Sequence, residues 1–274
     1  MDLRKNSILV LLLMLTFPFV GHSQSWDVGV LAGGSGYMGD LNPVKPYEMN
    51  HLGYGAFVRR NFDGYWSLRV DVNHGKISAA DSLSDNPQQK LRNLSFFSSI
   101  TELGLKLEFN FFKYIPSLSE KKISPYLFTG GGIVVFNPRT NYMDVNGKEW
   151  TVDLAPLATE GQDLGNPYRR YAISIPYGAG VKYNVAGRWT LGAELGYRTA
   201  LTDYLDDVRG RYPDFSGLDP NDPQTAVRKA VSDRSVHKNT PYTQRGDFRP
   251  RDTYFFGGIT ITYSFLSSKC PPVR

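Results

Sequence analysis

The stretch Glu102-Leu103-Gly104-Leu105-Lys106-Leu107-Glu108-Phe109-Asn110-Phe111 decides the fold. Its odd positions are apolar and its even ones are charged, polar or glycine, the period of a β-strand whose two faces meet different media. The period returns in Trp66-Ser67-Leu68-Arg69-Val70-Asp71-Val72-Asn73, and in Trp189, Leu191, Ala193, Leu195 and Tyr197 set against Thr190, Gly192, Glu194, Gly196 and Arg198. Tyr177, Ala179, Val181 and Tyr183 alternate with Gly178, Gly180, Lys182 and Asn184, and Gly257, Ile259, Ile261, Tyr263 and Phe265 alternate with small and hydroxyl residues. Weaker alternation runs through 26–32, 52–58 and the glycine-rich 126–136. Eight strands are expected, several as long as the about 9 to 11 residues a tilted membrane strand needs.

Alternation alone does not say which face is wet. The connections do: 39–51, 60–64, 79–95, 113–124, 137–170, 184–188 and 203–250 alternate long with short along the chain. An up-and-down membrane barrel has this pattern because tight turns line one rim and longer loops the other. A lipocalin-like soluble barrel would demand the reverse placement, aromatics inside and the charged ladder outside. The expected fold is all-β: an eight-stranded antiparallel up-and-down transmembrane β-barrel with short periplasmic turns and long extracellular loops. Aromatics at strand ends (Trp66, Phe109, Phe111, Trp189, Phe265) fit a lipid–water boundary.

Composition agrees. The chain has 274 residues, 31 Lys+Arg against 26 Asp+Glu and one cysteine. A lone cysteine excludes an internal disulfide framework, and the mild, diffuse positive charge is no argument for nucleic acid. The mean hydropathy of −0.34 excludes a bundle of membrane helices. Arg4 and Lys5, the apolar run 8–20 and Gly21-His22-Ser23 read as a signal peptide over 1–23, which leaves the barrel over 24–265 and a short periplasmic tail over 266–274. The location expected is a Gram-negative outer membrane.

On the inward parity lie Arg69, Asp71, Glu102, Lys106, Glu108, Lys182, Glu194 and Arg198. Unpaired charges inside a barrel are costly, so these are expected to pair in a lumen network that plugs the barrel. Neither a catalytic grouping nor a cofactor site stands out. Ala32-Gly33-Gly34-Ser35-Gly36 lacks the Gly-Lys-Ser/Thr ending of a phosphate loop. His51, His74 and His237 have no short-range metal spacing. His74 with Ser78 at the outer rim is the one serine–histidine combination a lipid-modifying barrel would use. The acids of 203–222 lack EF-hand spacing and read as a solvated loop.

Residues 33–43 (GGSGYMGDLNP), 92–96 (RNLSF), 102–112 (ELGLKLEFNFF), 156–162 (PLATEGQ) and 201–208 (LTDYLDDV) resemble the PorG-like outer-membrane barrel family of Bacteroidota. The most specific parts are Thr159, Glu160, Gly161 and Gln162, and Asp203, Tyr204, Asp206 and Asp207, since no generic barrel demands them. The resemblance implies a non-enzymatic structural adaptor of the type IX protein secretion system, with a periplasmic ring lipoprotein and a ring subunit as partners beside outer-membrane lipid. It implies no cofactor or metal. The ring would then touch the short turns and the tail, where Lys113, Tyr114, Glu120, Lys121, Lys122 and Lys269 are candidates; the basic ones serve anionic headgroups equally well. The alternative function is a small ligand-binding or lipid-modifying barrel of the OmpA/OmpX-like or lipid A deacylase-like kind.

Overall fold

Eight long strands pair with their neighbours, every pair antiparallel, until the sheet meets itself. The computed structural model describes residues 25–144, 146–162 and 166–266, so the expected signal peptide and nearly all of the tail, with Lys269, lie outside the described residues. The strands are β1 (Ser25–Met38), β2 (His51–Asn61), β3 (Trp66–Ala80), β4 (Ser95–Asn110), β5 (Ile123–Met143), β6 (Glu149–Asp153), β7 (Tyr171–Ala186), β8 (Trp189–Ala200) and β9 (Thr253–Leu266). Their order is β4-β3-β2-β1-β9-β8-β7-β5, and a β4–β5 pairing closes the ring. Closure removes the open edges that lipid cannot satisfy. Among the described residues no helix is long and apolar enough to cross a membrane.

The barrel is inside out relative to a soluble protein. On β4, Leu103, Leu105 and Leu107 are 54, 50 and 41% exposed, whereas Glu102, Lys106 and Glu108 are fully buried. Trp66, Phe109 and Phe111 form a contiguous aromatic patch at the short-turn rim, and Trp189, Tyr263 and Phe265 form another, as expected of an interfacial girdle. The short turns are tight; the β7–β8 turn has Gly187 at φ +52°, in the left-handed region.

One expectation needs correction. The segment 137–170 was expected to be a connection, but β5 continues to Met143 and folds back on β6, from Arg139 opposite Asp153 to Met143 opposite Glu149. Beyond Val135 the outward residues of β5 are Asn137, Arg139 and Asn141, until Met143 ends the strand. Above the lipid boundary an outward residue gains nothing by being apolar, so the alternation fades while the strand goes on.

The barrel's interior is ionic. Arg69 holds both oxygens of Glu194 at 2.6 and 2.8 Å, Asp71 at 2.9 Å and Glu108 at 3.1 Å. Glu108 also receives Arg59 at 3.0 Å and Lys182 at 2.7 Å. Lys106 lies 2.8 Å from Asp71 and 3.5 Å from Glu102, which meets Arg198 at 3.2 Å. Tyr126 donates to Glu194 and Tyr254 to Glu102. Arg59, which pairs with Asp27 at 3.2 Å, extends the set beyond the residues named from sequence; with Asp27 included, cations and carboxylates balance one for one. The rings of Phe57 and Phe128 lie 5.1 and 5.3 Å from the Arg69 guanidinium. Gly180 makes room for this packing, since a Cβ there would fall 2.6 Å from the Tyr126 ring.

Because Glu108 is shared by three cations, its removal leaves uncompensated buried charge. Glu108→Ala should lower stability by about 3–5 kcal/mol, read as a lower urea midpoint for the heat-modifiable gel shift of the folded barrel. An unchanged midpoint would mean that water already screens this network.

Candidate functional site

With the lumen filled, the surfaces left for function are the two rims and the outer wall. At the long-loop rim, extracellular in a barrel of this design, the loops fold over the mouth. A hydrophobic cluster there joins Tyr37, Phe96, Phe136 and Phe256 of the strands to Leu41, Leu94, Leu154, Leu205, Val208 and Val231 of the loops. The helix Pro223–Ser232, capped by Asp222 on the Gln224 amide, contributes buried Thr225, Arg228 and Val231. Its Arg228 donates to the Leu157 carbonyl at 2.6 Å.

The two loop segments singled out from sequence meet in this cap. Glu160 accepts the amides of Arg209 and Gly210 at 2.8 and 2.9 Å and Arg245 Nη1 at 2.9 Å. Thr159 donates to Asp207, which also accepts Tyr168 at 2.7 Å. Gly161 holds φ +77°, the left-handed turn that lets Glu160 and Gln162 fold back, with Gln162 Oε1 taking the Glu160 amide at 3.0 Å. Tyr204 stacks on Tyr168 at 4.3 Å. Arg245 ties the two segments to the last loop through the Asp207 carbonyl at 2.6 Å. Arg92, fixed by Asp81, donates to the carbonyls of Arg245 and Asp40 at 2.7 and 3.1 Å.

Beneath them lies a group of buried acids. The Tyr37 hydroxyl is 2.6 Å from Asp206 and 3.0 Å from Asp252, and Asp40 accepts the Asp247 amide. Burial pushes the Asp40 carboxyl up to about 8 and Asp203 to about 7, with Arg209 opposing the latter. Asp207 rises to about 6, held back by Arg245. Asp206 and Asp252 also rise well above the usual carboxylate range, first from burial and then from a neighbouring acid, Asp252 for the former and Asp203 for the latter.

The expectation of a solvated acidic loop is therefore corrected. Asp203, Asp206 and Asp207 are buried, because the apolar Leu205 and Val208 between and beside them anchor the segment in the mouth. Asp214, Asp219 and Asp222 instead accept amides of their own turns. Among the described residues no group of three or more His, Cys, Asp or Glu is arranged to hold a metal.

The other candidates separate. Ser78 pairs with His51, at 2.7 Å from Nε2, and not with His74, whose Nδ1 meets Thr101 at 2.9 Å. Ser78 and His74 are four residues apart along one face of β3, too far to touch, whereas β2 lies alongside. No carboxylate of the described residues hydrogen-bonds either ring, so neither histidine has an orienting acid. Gly33 to Gly36 stay within β1. At the short-turn rim, Lys113, Glu120, Lys121 and Lys122 are exposed; Lys121 sits 3.9 Å over the Phe112 ring. Tyr114 is corrected: it is buried, its hydroxyl 2.6 Å from Thr190, and plugs the lower mouth instead of facing a partner. Sequence reasoning gave no individual role to Tyr37 at the end of β1 and Asp40 just after it, nor to Tyr168, Arg245 and Asp252, which come from distant parts of the chain.

The raised carboxyls make the cap pH-sensitive. Each holds its proton to a higher pH when packed than when exposed, so its stabilisation is fully present below the ordinary value of 3.8 and is lost as pH rises through about 6, 7 and 8. Hydrogen exchange of segments 203–212 and 245–252, corrected for intrinsic rates, should show protection falling from about pH 5 to about pH 8.5. Constant protection would mean that these acids are ionised in the closed cap.

Solved structures similar to this one include Ail, the attachment invasion locus protein of Yersinia pestis, in complex with the heparin analogue sucrose octasulfate, at 11% identity and TM-score 0.40 over 89% of this chain and 100% of that chain. They also include Neisserial surface protein A, at 9% identity and TM-score 0.40 over 88% and 96%. A major outer membrane protein from Thermus thermophilus matches at 13% identity and TM-score 0.45 over 89% and 100%. No curated protein matches the sequence. Residues 5–221, which take in β1 to β8 and both of the loop segments that meet over the mouth, match the family described as Domain of unknown function (DUF6089), and the chain belongs to that family.

Proposed function

We propose that this chain is a non-enzymatic outer-membrane barrel that serves as a structural adaptor of type IX protein secretion, linking a periplasmic ring to the outer membrane. The observation that carries the scaffold part is closure at both levels: paired charges fill the lumen and the loops pack over its mouth. A barrel built this way offers rigidity and two rims, not a passage. The secretion part draws on the PorG-like resemblance, supported by the convergence of Thr159, Glu160 and Asp207 in one hydrogen-bonded unit. At the periplasmic rim the exposed Lys113, Glu120, Lys121 and Lys122 are the surface available to the ring lipoprotein and ring subunit.

A second reading, a lipid-modifying barrel, draws on the His51–Ser78 pair at the outer wall. Release of an acyl chain from lipid by the purified protein, abolished by Ser78→Ala, would favour it.

Affinity purification of the tagged protein from mildly solubilised outer membranes, followed by mass spectrometry, tests the adaptor role. Recovery of the ring lipoprotein and ring subunit is expected, falling about tenfold in the Lys113→Glu/Lys121→Glu/Lys122→Glu variant, as for reversal of rim charges. A barrel that arrives without either ring protein would sink the secretion assignment.

A further inference from the structure

The lipid-facing wall of β3, β4 and β5 changes character upward, first at the row of His74, Thr101 and Val135. Val70, Val72, Leu103, Leu105, Ile133 and Val135 make its lower part apolar. Just above, the register sets Lys76 opposite Ser99 and Ser99 opposite Asn137, so three outward polar residues share one level across three strands. One pleat higher, Phe97 of β4 lies between Ser78 of β3 and Arg139 of β5. Lys76 Nζ reaches 4.3 Å from the Phe97 ring centroid. Phe97 therefore has a cation on each side.

Arg170, immediately before β7, joins the group by donating to Asn137 Oδ1 at 3.2 Å. One carboxylate, Asp153, takes Arg139 Nε at 2.7 Å and Arg170 at 3.7 Å. It orients the two guanidinium groups without consuming them: their side chains remain 47 and 52% exposed, and exposed pairs of this kind bind weakly. Three cations against one carboxylate leave positive charge at the boundary where headgroup phosphates lie. Lys supplies a point charge and Arg a fork that fits phosphate oxygens. Lys76 and Arg139 stand on the two strands flanking β4 and one pleat apart, about 12 Å from each other at the backbone, a span suited to two phosphates and not to one.

We propose that this outward face is a binding site for a bisphosphorylated lipid headgroup of the outer leaflet, with Lys76 taking one phosphate and Arg139 with Arg170 the other. The inference rests on the barrel's place in an outer membrane and is independent of the adaptor role.

The test is native mass spectrometry of the full chain in neutral detergent with hexa-acylated lipid A carrying both phosphates, with the same lipid after dephosphorylation, and with inorganic pyrophosphate. Binding of the bisphosphorylated lipid is expected, weakened more than about tenfold by dephosphorylation and equally by Lys76→Gln/Arg139→Gln/Arg170→Gln. The charge-conserving Lys76→Arg/Arg139→Lys/Arg170→Lys variant should retain binding. Equal affinity for the two lipids, or an undiminished neutral variant, overturns the site; competition by pyrophosphate alone transfers it to a soluble diphosphate and overturns the lipid assignment. Heat-modifiable gel mobility reports folding of each variant, and Arg170→Gln alone, outside the barrel strands, gives a second variant whose binding must also fall. Density fractionation of host membranes reports the outer-membrane placement separately, so failure of that placement and failure of the site give different results.

Discussion

Arg69 is almost wholly buried, yet it meets Asp71, Glu108 and Glu194 at once, and satisfying buried ions of this kind is the constraint from which the rest of the architecture follows. A membrane barrel spends its apolar side chains on lipid and must fill its centre with what remains. Long charged chains fill space well but are tolerated only when each finds a partner. That requirement sets the inward glycines of β7, where bulk would collide with Tyr126 and Phe128, and the aromatic rings between the cations. The same ladder makes the lumen a rod of paired charge, which leaves the rims and the wall as the accessible surfaces.

Two apolar systems coexist in the molecule and do different work. One faces lipid and consists of alternate residues on the strands. The other is the cluster at the mouth, where Leu205, Val208, Leu154 and Val231 pack against Phe96, Phe136 and Phe256. This second cluster is an ordinary hydrophobic core in miniature, built from segments far apart in sequence. It converts what the connection lengths alone would make floppy loops into a packed layer, and it forces acids such as Asp206 and Asp252 into a site where tyrosine hydroxyls and backbone amides replace water.

Much of the barrel was legible in the sequence because period two is a local signal. Parity alone assigned Glu102, Lys106, Glu108, Lys182, Glu194 and Arg198 to one face, and the structure brings them together. The same parity marks Asp27, between Trp26 and Val28, and Arg59, after Val58, so those two members were readable as well. Apolar Leu154, Leu157, Leu205 and Val208 in the long loops marked these for packing over the mouth, but the polar contacts of the cap were not legible. Tyr37 meets Asp206 and Asp252, and Arg245 meets Asp207, through three-dimensional closure, and nothing in their spacing announces it. The extension of β5 was hidden for the opposite reason: outside the bilayer a strand can be polar on its outward face, and Asn137, Arg139 and Asn141 carry no hydrophobic mark. Tyr114 shows a third limit, since a tyrosine in a polar turn reads as surface until a lumen next to it offers Thr190.

The pairing of β1 with β9 has a consequence for how the molecule comes into being. The seam joins Ser25 to Leu266 and Met38 to Thr253, so strands at opposite ends of the barrel's sequence must find each other before the cylinder exists. Until then both seam strands present unpaired amides and carbonyls, which lipid does not tolerate. At the seam Gly33 lies so near Gly257 and Gly258 that a Cβ would collide with backbone. The cylinder is complete only when the first strand has met the last, along a stretch of glycines where the backbones come too close to admit a side chain.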